Sequence, residues 1–206
     1  MIADFVRHLF PRVILRRNLR ITYTFCLGGL AFTMLLILFC SGVLLMFYYH
    51  PSPSDAYRSI LFLESSVAGG LYLRSIHRLA SHLLLLLLGL HLLRVVLTGA
   101  YAPPRHLAWV VGMLLLFLSV FGGYSGYLLP LDQRAYWATR TGMELLATIP
   151  GGGIVRALLT PDGVGGPLSL QRFYVLHVMV VPLSLMILVM LHFYQIRKTR
   201  GVLPYL

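Results

Sequence analysis

Four long stretches of this 206-residue sequence contain no Asp, Glu, Lys or Arg: residues 21–54, 79–93, 106–131 and 173–196. A helix needs about 20 mostly apolar residues to cross the roughly 30 Å hydrocarbon core of a bilayer. Three stretches meet that length outright, and the second meets it once Arg78 and Arg94 extend toward the two interfaces. The sequence therefore predicts an all-α, polytopic membrane four-helix bundle, with spans at about 23–47, 76–98, 107–129 and 174–195.

The composition excludes an ordinary soluble domain. Charged residues make up 11% of the chain, whereas soluble proteins carry roughly 25%. We expect one domain over residues 1–206, because no internal repeat divides it. Residues 1–20 mix apolar side chains with arginines, which predicts an amphipathic segment on the inner membrane surface.

The net charge of +11 is unevenly distributed over the predicted topology. Both termini and the short turn after the second span share one side, which holds ten basic residues and a single acid. The opposite side holds seven arginines and five acids. The positive-inside rule then places both termini on the cytoplasmic or negative side. Topology accounts for the excess charge, so no nucleic-acid partner is expected.

Four of the eight histidines form two matched pairs inside the second and fourth spans. His77 and His91 occupy positions i and i+14 of one span, and His177 and His192 occupy positions i and i+15 of the other. At about 100° per residue each pair points to roughly one helix face, with about 21 Å between its members along the axis. Since the two spans run in the same direction, His77 pairs with His177 near the outer surface and His91 with His192 near the inner one.

Two bis-histidine sites at opposite depths are what a transmembrane electron path through b-type haem requires. Ionisable residues inside a span are costly and mark functional sites, and two axial histidines suit electron transfer rather than oxygen binding. The alternative is a set of hydrogen-bonded polar residues in a haem-free transporter or assembly factor. His82 lies about 140° around the helix from His77 and has no counterpart on the fourth span, so we predict that it binds no haem.

Glycines repeat the same spacing on the other two spans. Gly28 and Gly42 on the first span, and Gly112 and Gly126 on the third, show the same i, i+14 spacing as His77 and His91. A porphyrin edge between helices needs neighbours without side chains at its depth, although glycine is also common in membrane helices for close packing alone. Beside the histidines, the repeat favours haem clearance.

Several short motifs resemble those of the cytochrome b family, specifically its split form, cytochrome b6. The similarity runs from about Ile21 to Pro204, nearly the whole chain. The motifs are Cys26-Leu-Gly-Gly, Phe47-Tyr-Tyr, Leu73-Arg-Ser-Ile-His77-Arg, His91-Leu-Leu-Arg94, Gly126-Tyr-Leu-Leu-Pro130-Leu-Asp-Gln133, Tyr136-Trp137-Ala, Arg172-Phe-Tyr-Val-Leu-His177 and His192-Phe-Tyr-Gln-Ile-Arg197-Lys198.

The resemblance implies a set of cofactor contacts. It gives the His77–His177 pair the positive-side haem b and the His91–His192 pair the negative-side haem b. It also implies a thioether bond from Cys26 to a third haem beside the negative-side one, whereas Cys40 is expected to be a small buried hydrophobe. Four arginines would contact haem, three of them through its propionates, unless they are only interfacial anchors: Arg74, Arg78, Arg94 and Arg197.

The resemblance further implies the haem-carrying core subunit of a quinol–cytochrome c or plastocyanin oxidoreductase, inactive alone and without a catalytic residue of its own. Electrons would pass from quinol, near Tyr136 and Trp137, through the two haems to quinone at the negative side, coupled to proton translocation. Implied partners are a Rieske iron–sulfur protein, a short three-helix subunit carrying Pro-Glu-Trp-Tyr, a c-type cytochrome and membrane lipid, in a dimeric complex. The alternative is the di-haem b-type membrane anchor of a dehydrogenase or hydrogenase.

The chain also departs from the family pattern near the expected quinol pocket. Leu131 stands where most members carry Trp, and residues 141–168 match poorly. The details of quinol binding are therefore open. The expected location is an energy-transducing membrane, with the bacterial cytoplasmic membrane as the first expectation and the thylakoid as the alternative.

Overall fold

Residues 25–199 are described by a computed structural model; they form helices and contain no strand. Four helices are long and apolar enough to cross a membrane: α1 (Leu27–Met46), α3 (Gly70–Leu97), α4 (His106–Leu128) and a last helix over Pro167–Lys198. The predicted all-α membrane bundle is thus confirmed. The amphipathic segment expected at residues 1–20 lies outside the described residues.

Three shorter helices occupy the connections: α2 (Ala56–Ser66) before α3, and α5 (Gln133–Ala147) and α6 (Gly152–Leu159) between α4 and the last span. Asp132 caps α5 by accepting a hydrogen bond from the Ala135 amide at 2.8 Å, as N-cap carboxylates do. Gly151 turns the chain from α5 into α6 at φ +77°, a conformation that favours glycine.

The second span begins at Gly70, well before the position near residue 76 that hydropathy indicates. Gly69 starts the helix at φ +77°, and a side chain on Gly70 would collide with the backbone of Leu63 in α2. The two glycines therefore allow a tight turn between α2 and α3. Arg74 and Arg78 end the apolar stretch but not the helix, because a helix can continue beyond the hydrocarbon.

The spans pack as two antiparallel pairs, α1 against α3 and α4 against the last span. Seven buried apolar residues join the pairs into one core: Ala31, Leu35, Leu84, Leu115, Val181, Leu185 and Val189. All seven lie between the depths of the outer and inner histidines. The centre of the bundle is therefore a dry layer that separates the two polar depths.

A π turn, Leu176–Val180, interrupts the last span between α7 (Pro167–Val175) and α8 (Val181–Lys198). The amide of Val181 bonds to the carbonyl of Leu176, a pattern that accommodates one extra residue. Pro182 follows and has no amide hydrogen to continue the regular ladder. The wide turn therefore absorbs the additional residue between His177 and His192, which makes this pair match the i, i+14 spacing on α3.

Aromatic contacts tie the outer ends of the spans together. The Tyr49 hydroxyl donates to the Leu129 carbonyl at 2.6 Å, and its ring stacks on Tyr174 with centroids 5.5 Å apart. Burial raises the pKa of Tyr49 well above its usual value, so the phenol stays protonated as the donor. These contacts fix the start of the first connection against the ends of α4 and α7.

Candidate haem sites at two membrane depths

The structure brings His77 of α3 and His177 of the π turn together. Their ring centroids are 6.2 Å apart and the ring planes make an angle of 75°. An imidazole nitrogen binds a first-row metal at about 2.0–2.1 Å, so the two axial rings of one iron have centres on the order of 6 Å apart. We name this pair the outer site and His91 with His192 the inner site, after the sides expected from charge.

Hydrogen bonds define the tautomer of His177. Its Nδ1 atom lies 3.0 Å from the Gly122 carbonyl and 3.2 Å from the Ser125 hydroxyl. A carbonyl oxygen only accepts, so Nδ1 carries the hydrogen and Nε2 keeps its lone pair. The ring is therefore in the form that can bind a metal through Nε2.

His77 is held in the same way by a serine of α1. Its Nδ1 atom lies 2.8 Å from the Ser41 hydroxyl, and that hydroxyl already donates to the Ile37 carbonyl at 2.6 Å. Ser41 is therefore the acceptor and His77 Nδ1 the donor. Ligating histidines typically donate their second ring nitrogen in this manner, which orients the ring and raises its basicity.

Each of the four histidines lies against one of the four repeated glycines on the neighbouring helix. A Cβ on Gly28 would come within 3.3 Å of the His91 ring, and one on Gly42 within 3.4 Å of His77. On the other helix pair, a Cβ on Gly112 would come within 3.2 Å of His192, and one on Gly126 would collide with His177. The glycines thus leave room for the imidazoles themselves, a contact that the sequence did not indicate.

The inner histidines line a shared cavity of about 90 Å³ that is partly open to the surroundings. Its lining also includes two arginines, Arg94 of α3 and Arg105, which precedes α4. The side chain of Arg105 is buried. Two guanidinium groups beside two imidazoles suit an anionic group attached to a planar ligand. The remaining lining is mainly apolar, as expected for a cofactor site.

The other expected arginines lie elsewhere. Arg74 is one helical turn from His77 and forms an ion pair with Glu64 of α2. Arg78 and Arg197 have exposed side chains, and Arg197 occupies the last turn of α8. Of the four, Arg94 is the one in the inner cavity.

Three residues at the sites were missed by the sequence reasoning: Ser41, Ser125 and Arg105. A signal for the serines existed, because each directly precedes an outer-site glycine, in Ser41-Gly42 and Ser125-Gly126. The inner-site glycines follow Leu27 and Val111 instead. Arg105 was counted only as a topology charge, since its burial depends on the turn between α3 and α4.

The two cysteines differ in position along α1. Cys26 directly precedes the helix at φ +50°, is exposed, and stands close in sequence to Gly28, which contacts inner-site His91. Cys40 is also exposed. The expectation that Cys40 is buried was wrong, because its side of α1 points away from the three other spans.

A second concavity, of about 290 Å³, opens at the outer ends of the spans. Leu131 lines it at φ +50°, a left-handed conformation that costs a non-glycine residue free energy and is common at functional sites. Tyr136 and Trp137 share the lining, and the Trp137 indole donates to Gln133 at 3.1 Å. The tyrosine and tryptophan expected near quinol thus border the concavity that contains Leu131.

These observations make the described residues fit two haem groups. The outer rings have the spacing and tautomer that axial ligands need, and the inner pair faces a cavity that contains cationic side chains. Glycines leave room at all four imidazoles. The apolar core between the sites excludes water and separates them by about two-thirds of the bilayer's hydrocarbon thickness.

Comparison with known proteins gives an independent result. A family model described as Cytochrome b/b6/petB matches residues 14–200. The chain is 42% identical over 176 residues to cytochrome b6 of Gracilaria tenuistipitata var. liui, covering 84% of this chain and 81% of that protein. It is 41% identical over 174 residues to cytochrome b6 of Heliomicrobium gestii, covering 84% and 82%.

A solved structure is also similar. A chain of a hyperthermophilic respiratory Complex III matches with a TM-score of 0.84 and 29% identity, over 98% of this chain and 53% of that one. The protein thus spans about half the length of this Complex III chain, whereas it spans about four-fifths of the cytochrome b6 relatives.

Replacing Gly126 by Ala tests the contact with His177. The added methyl group would collide with the imidazole, and such overpacking costs about 1–3 kcal/mol. We expect the purified protein to lose outer-site haem absorbance. Gly123→Ala is the matched control on the same helix, because its Cβ would meet only Leu85 at 3.7 Å. Equal haem content in the two variants would contradict the role of Gly126.

Proposed function

The chain belongs to the cytochrome b/b6 family, and from that premise we propose that it is the haem-carrying core subunit of a quinol–cytochrome c or plastocyanin oxidoreductase. The observation that carries the proposal is the pairing of histidines from two helices at two depths of one apolar bundle. The 6.2 Å spacing of the outer rings and the shared cavity of the inner ones support it.

In this proposal His77 and His177 would hold one haem, and His91 and His192 would hold the other. When bound, the two haems supply one-electron carriers at the two depths. The chain's own residues hold each imidazole through a glycine contact, and at the outer site also through hydrogen bonds from Nδ1. Two histidine ligands for each haem iron would favour electron transfer over binding of oxygen.

Several positive side chains would neutralise haem propionates. Arg94 and the newly identified Arg105 both line the inner cavity, which supports a role for them at the inner site. At the outer site Arg74, one helical turn from His77, is a candidate, with Glu64 as its present partner. Arg78 and Arg197 are exposed. We propose for them the haem contacts that the resemblance implies.

Quinol binds, in this proposal, at the outer concavity beside Leu131, Tyr136 and Trp137. One electron goes to a Rieske iron–sulfur protein, and the other crosses the bundle to quinone near the inner site, with proton release on the outer side. The Pro-Glu-Trp-Tyr motif does not occur in these 206 residues. We propose that a short three-helix subunit supplies it, in a dimeric complex that also binds a c-type cytochrome and lipid.

We also propose a third haem, attached to Cys26 through a thioether bond. Two observations support this assignment. Cys26 is exposed at the end of α1, and the neighbouring Gly28 lies at the depth of the inner site. Both observations support a thioether from this thiol to a haem beside the inner b haem.

Replacing single histidines tests the pairing by depth. His91→Ala and His192→Ala should each remove the inner haem and leave the outer haem, because each haem needs one ligand from each helix. His82→Ala is the control on α3 and should retain both, since His82 faces outward. The readout is the reduced-minus-oxidised spectrum of the purified complex. Loss of the same haem from His91→Ala and His177→Ala would show that the pairs are wrong.

The proposed role as one subunit predicts that the purified chain binds haem but does not reduce cytochrome c with quinol. This chain has no Pro-Glu-Trp-Tyr motif, and its two cysteines both lie at α1, where they cannot bind an iron–sulfur cluster as a set of four. The check is an inhibitor-controlled assay with haem-loaded protein. Inhibitor-sensitive turnover by the single chain would refute the claim.

A covalent haem on Cys26 survives conditions that release b-type haem. We expect the denatured 23.1 kDa chain to retain peroxidase staining and an intact mass increased by one haem. Cys26→Ser should abolish both signals and keep the two b haems. Cys40→Ser is the control, exposed on the same helix, and should change neither. A colourless polypeptide after extraction from cells competent in haem attachment would exclude the thioether.

A further inference from the structure

The hydrogen bonding of the outer imidazoles involves two buried serines. Ser41 accepts from His77 Nδ1 at 2.8 Å, and Ser125 lies 3.2 Å from His177 Nδ1. The side chains of both serines are buried, in positions directly before the two glycines that contact the same rings. Two different helices, α1 and α4, thus provide the same Ser-Gly arrangement to the outer site.

The inner imidazoles have no such partners among the described residues. His192 Nδ1 is buried beside the backbone of Ala108, and no side-chain hydroxyl bonds to it. Leucine and valine occupy the positions equivalent to the two serines. The two sites are therefore alike in their histidines and glycines but differ in the polarity around Nδ1.

A hydrogen bond from Nδ1 changes the donor strength of the opposite ring nitrogen. Sharing the Nδ1 proton with an acceptor increases electron density on the ring and raises its basicity as a ligand. A more basic ligand stabilises ferric iron over ferrous iron, because the ferric ion carries the larger charge. Hydrogen bonding beyond the axial ligands is one of the means by which proteins set haem potentials.

We propose that Ser41 and Ser125 are positioning residues that lower the reduction potential of the outer haem. This inference rests on the proposed function. An electron delivered at the outer site is then favoured to move to the inner site, across the apolar core. The serines would thus give the direction of electron transfer, which the symmetric arrangement of histidines and glycines does not provide.

Serine-to-alanine variants of the purified holo complex test this inference by optical redox titration. Removing the hydrogen bond should raise the reduced-to-oxidised ratio of the outer haem at a fixed potential, by up to about tenfold. A tenfold change corresponds to about 59 mV for a one-electron couple. Ser41→Ala should shift the outer haem more than Ser125→Ala, because His177 keeps the Gly122 carbonyl as an acceptor. The inner haem should not shift.

Two further variants separate tuning from general packing. Ser41→Thr keeps the hydroxyl and should restore the wild-type potential. Ser119→Ala removes a buried hydroxyl from α4 that bonds only to the Leu115 carbonyl, so it should leave both potentials unchanged. If Ser41→Ala fails to retain outer haem, the potential of the outer haem can be measured in Ser125→Ala. In that variant His177 keeps its hydrogen bond to the Gly122 carbonyl.

The outcomes distinguish the proposed function of the protein from the role of the two serines. A wild-type complex without two b-type haem transitions would contradict the proposed function itself. Two transitions that do not move in either alanine variant, or that move equally in Ser119→Ala, would overturn the role of the serines alone.

Discussion

The structure depends on the burial of four imidazoles at two depths of an apolar bundle. An ionisable ring inside a membrane span is unfavourable unless its polar atoms are paired or bind a ligand. At the outer site, Nδ1 of His77 and His177 has a partner, which leaves each Nε2 atom for a metal. The glycines act on the same rings, because a Cβ on Gly126 would collide with its imidazole and a Cβ on Gly28 or Gly112 would be unusually close to one.

The contact of each imidazole with a glycine explains why the glycines and histidines of the four spans share one spacing. The glycine pairs of α1 and α4 have the same i, i+14 spacing as the histidine pair of α3. The histidines of the last span are one position farther apart, and its π turn, next to Pro182, absorbs the difference. In a regular helix the extra residue would have rotated His192 by about 100° from the direction that an i, i+14 spacing gives. The wide turn is therefore a functional part of the helix, as π turns frequently are.

Much of this arrangement could be predicted from the sequence, since it follows from helical periodicity. The lack of charge predicted the four spans, and the matched spacings predicted which histidines share a depth. The sequence could not show that the glycines contact the imidazoles rather than only a porphyrin edge, because that depends on how closely α1 approaches α3. It also could not show that Arg74 pairs with Glu64 or that Arg105 is buried. Those contacts are formed by the connections, whose conformation periodicity does not determine.

Electron paramagnetic resonance of the oxidised holo complex tests the central claim most directly. Two imidazoles on one iron give a low-spin ferric centre. The 75° angle between the His77 and His177 planes makes the two iron orbitals that interact with the rings nearly equal in energy, which predicts a highly anisotropic signal. We expect that signal from the outer haem and its loss in His77→Ala. A high-spin spectrum from both haems, or an undiminished low-spin signal in His77→Ala, would contradict axial ligation by paired histidines.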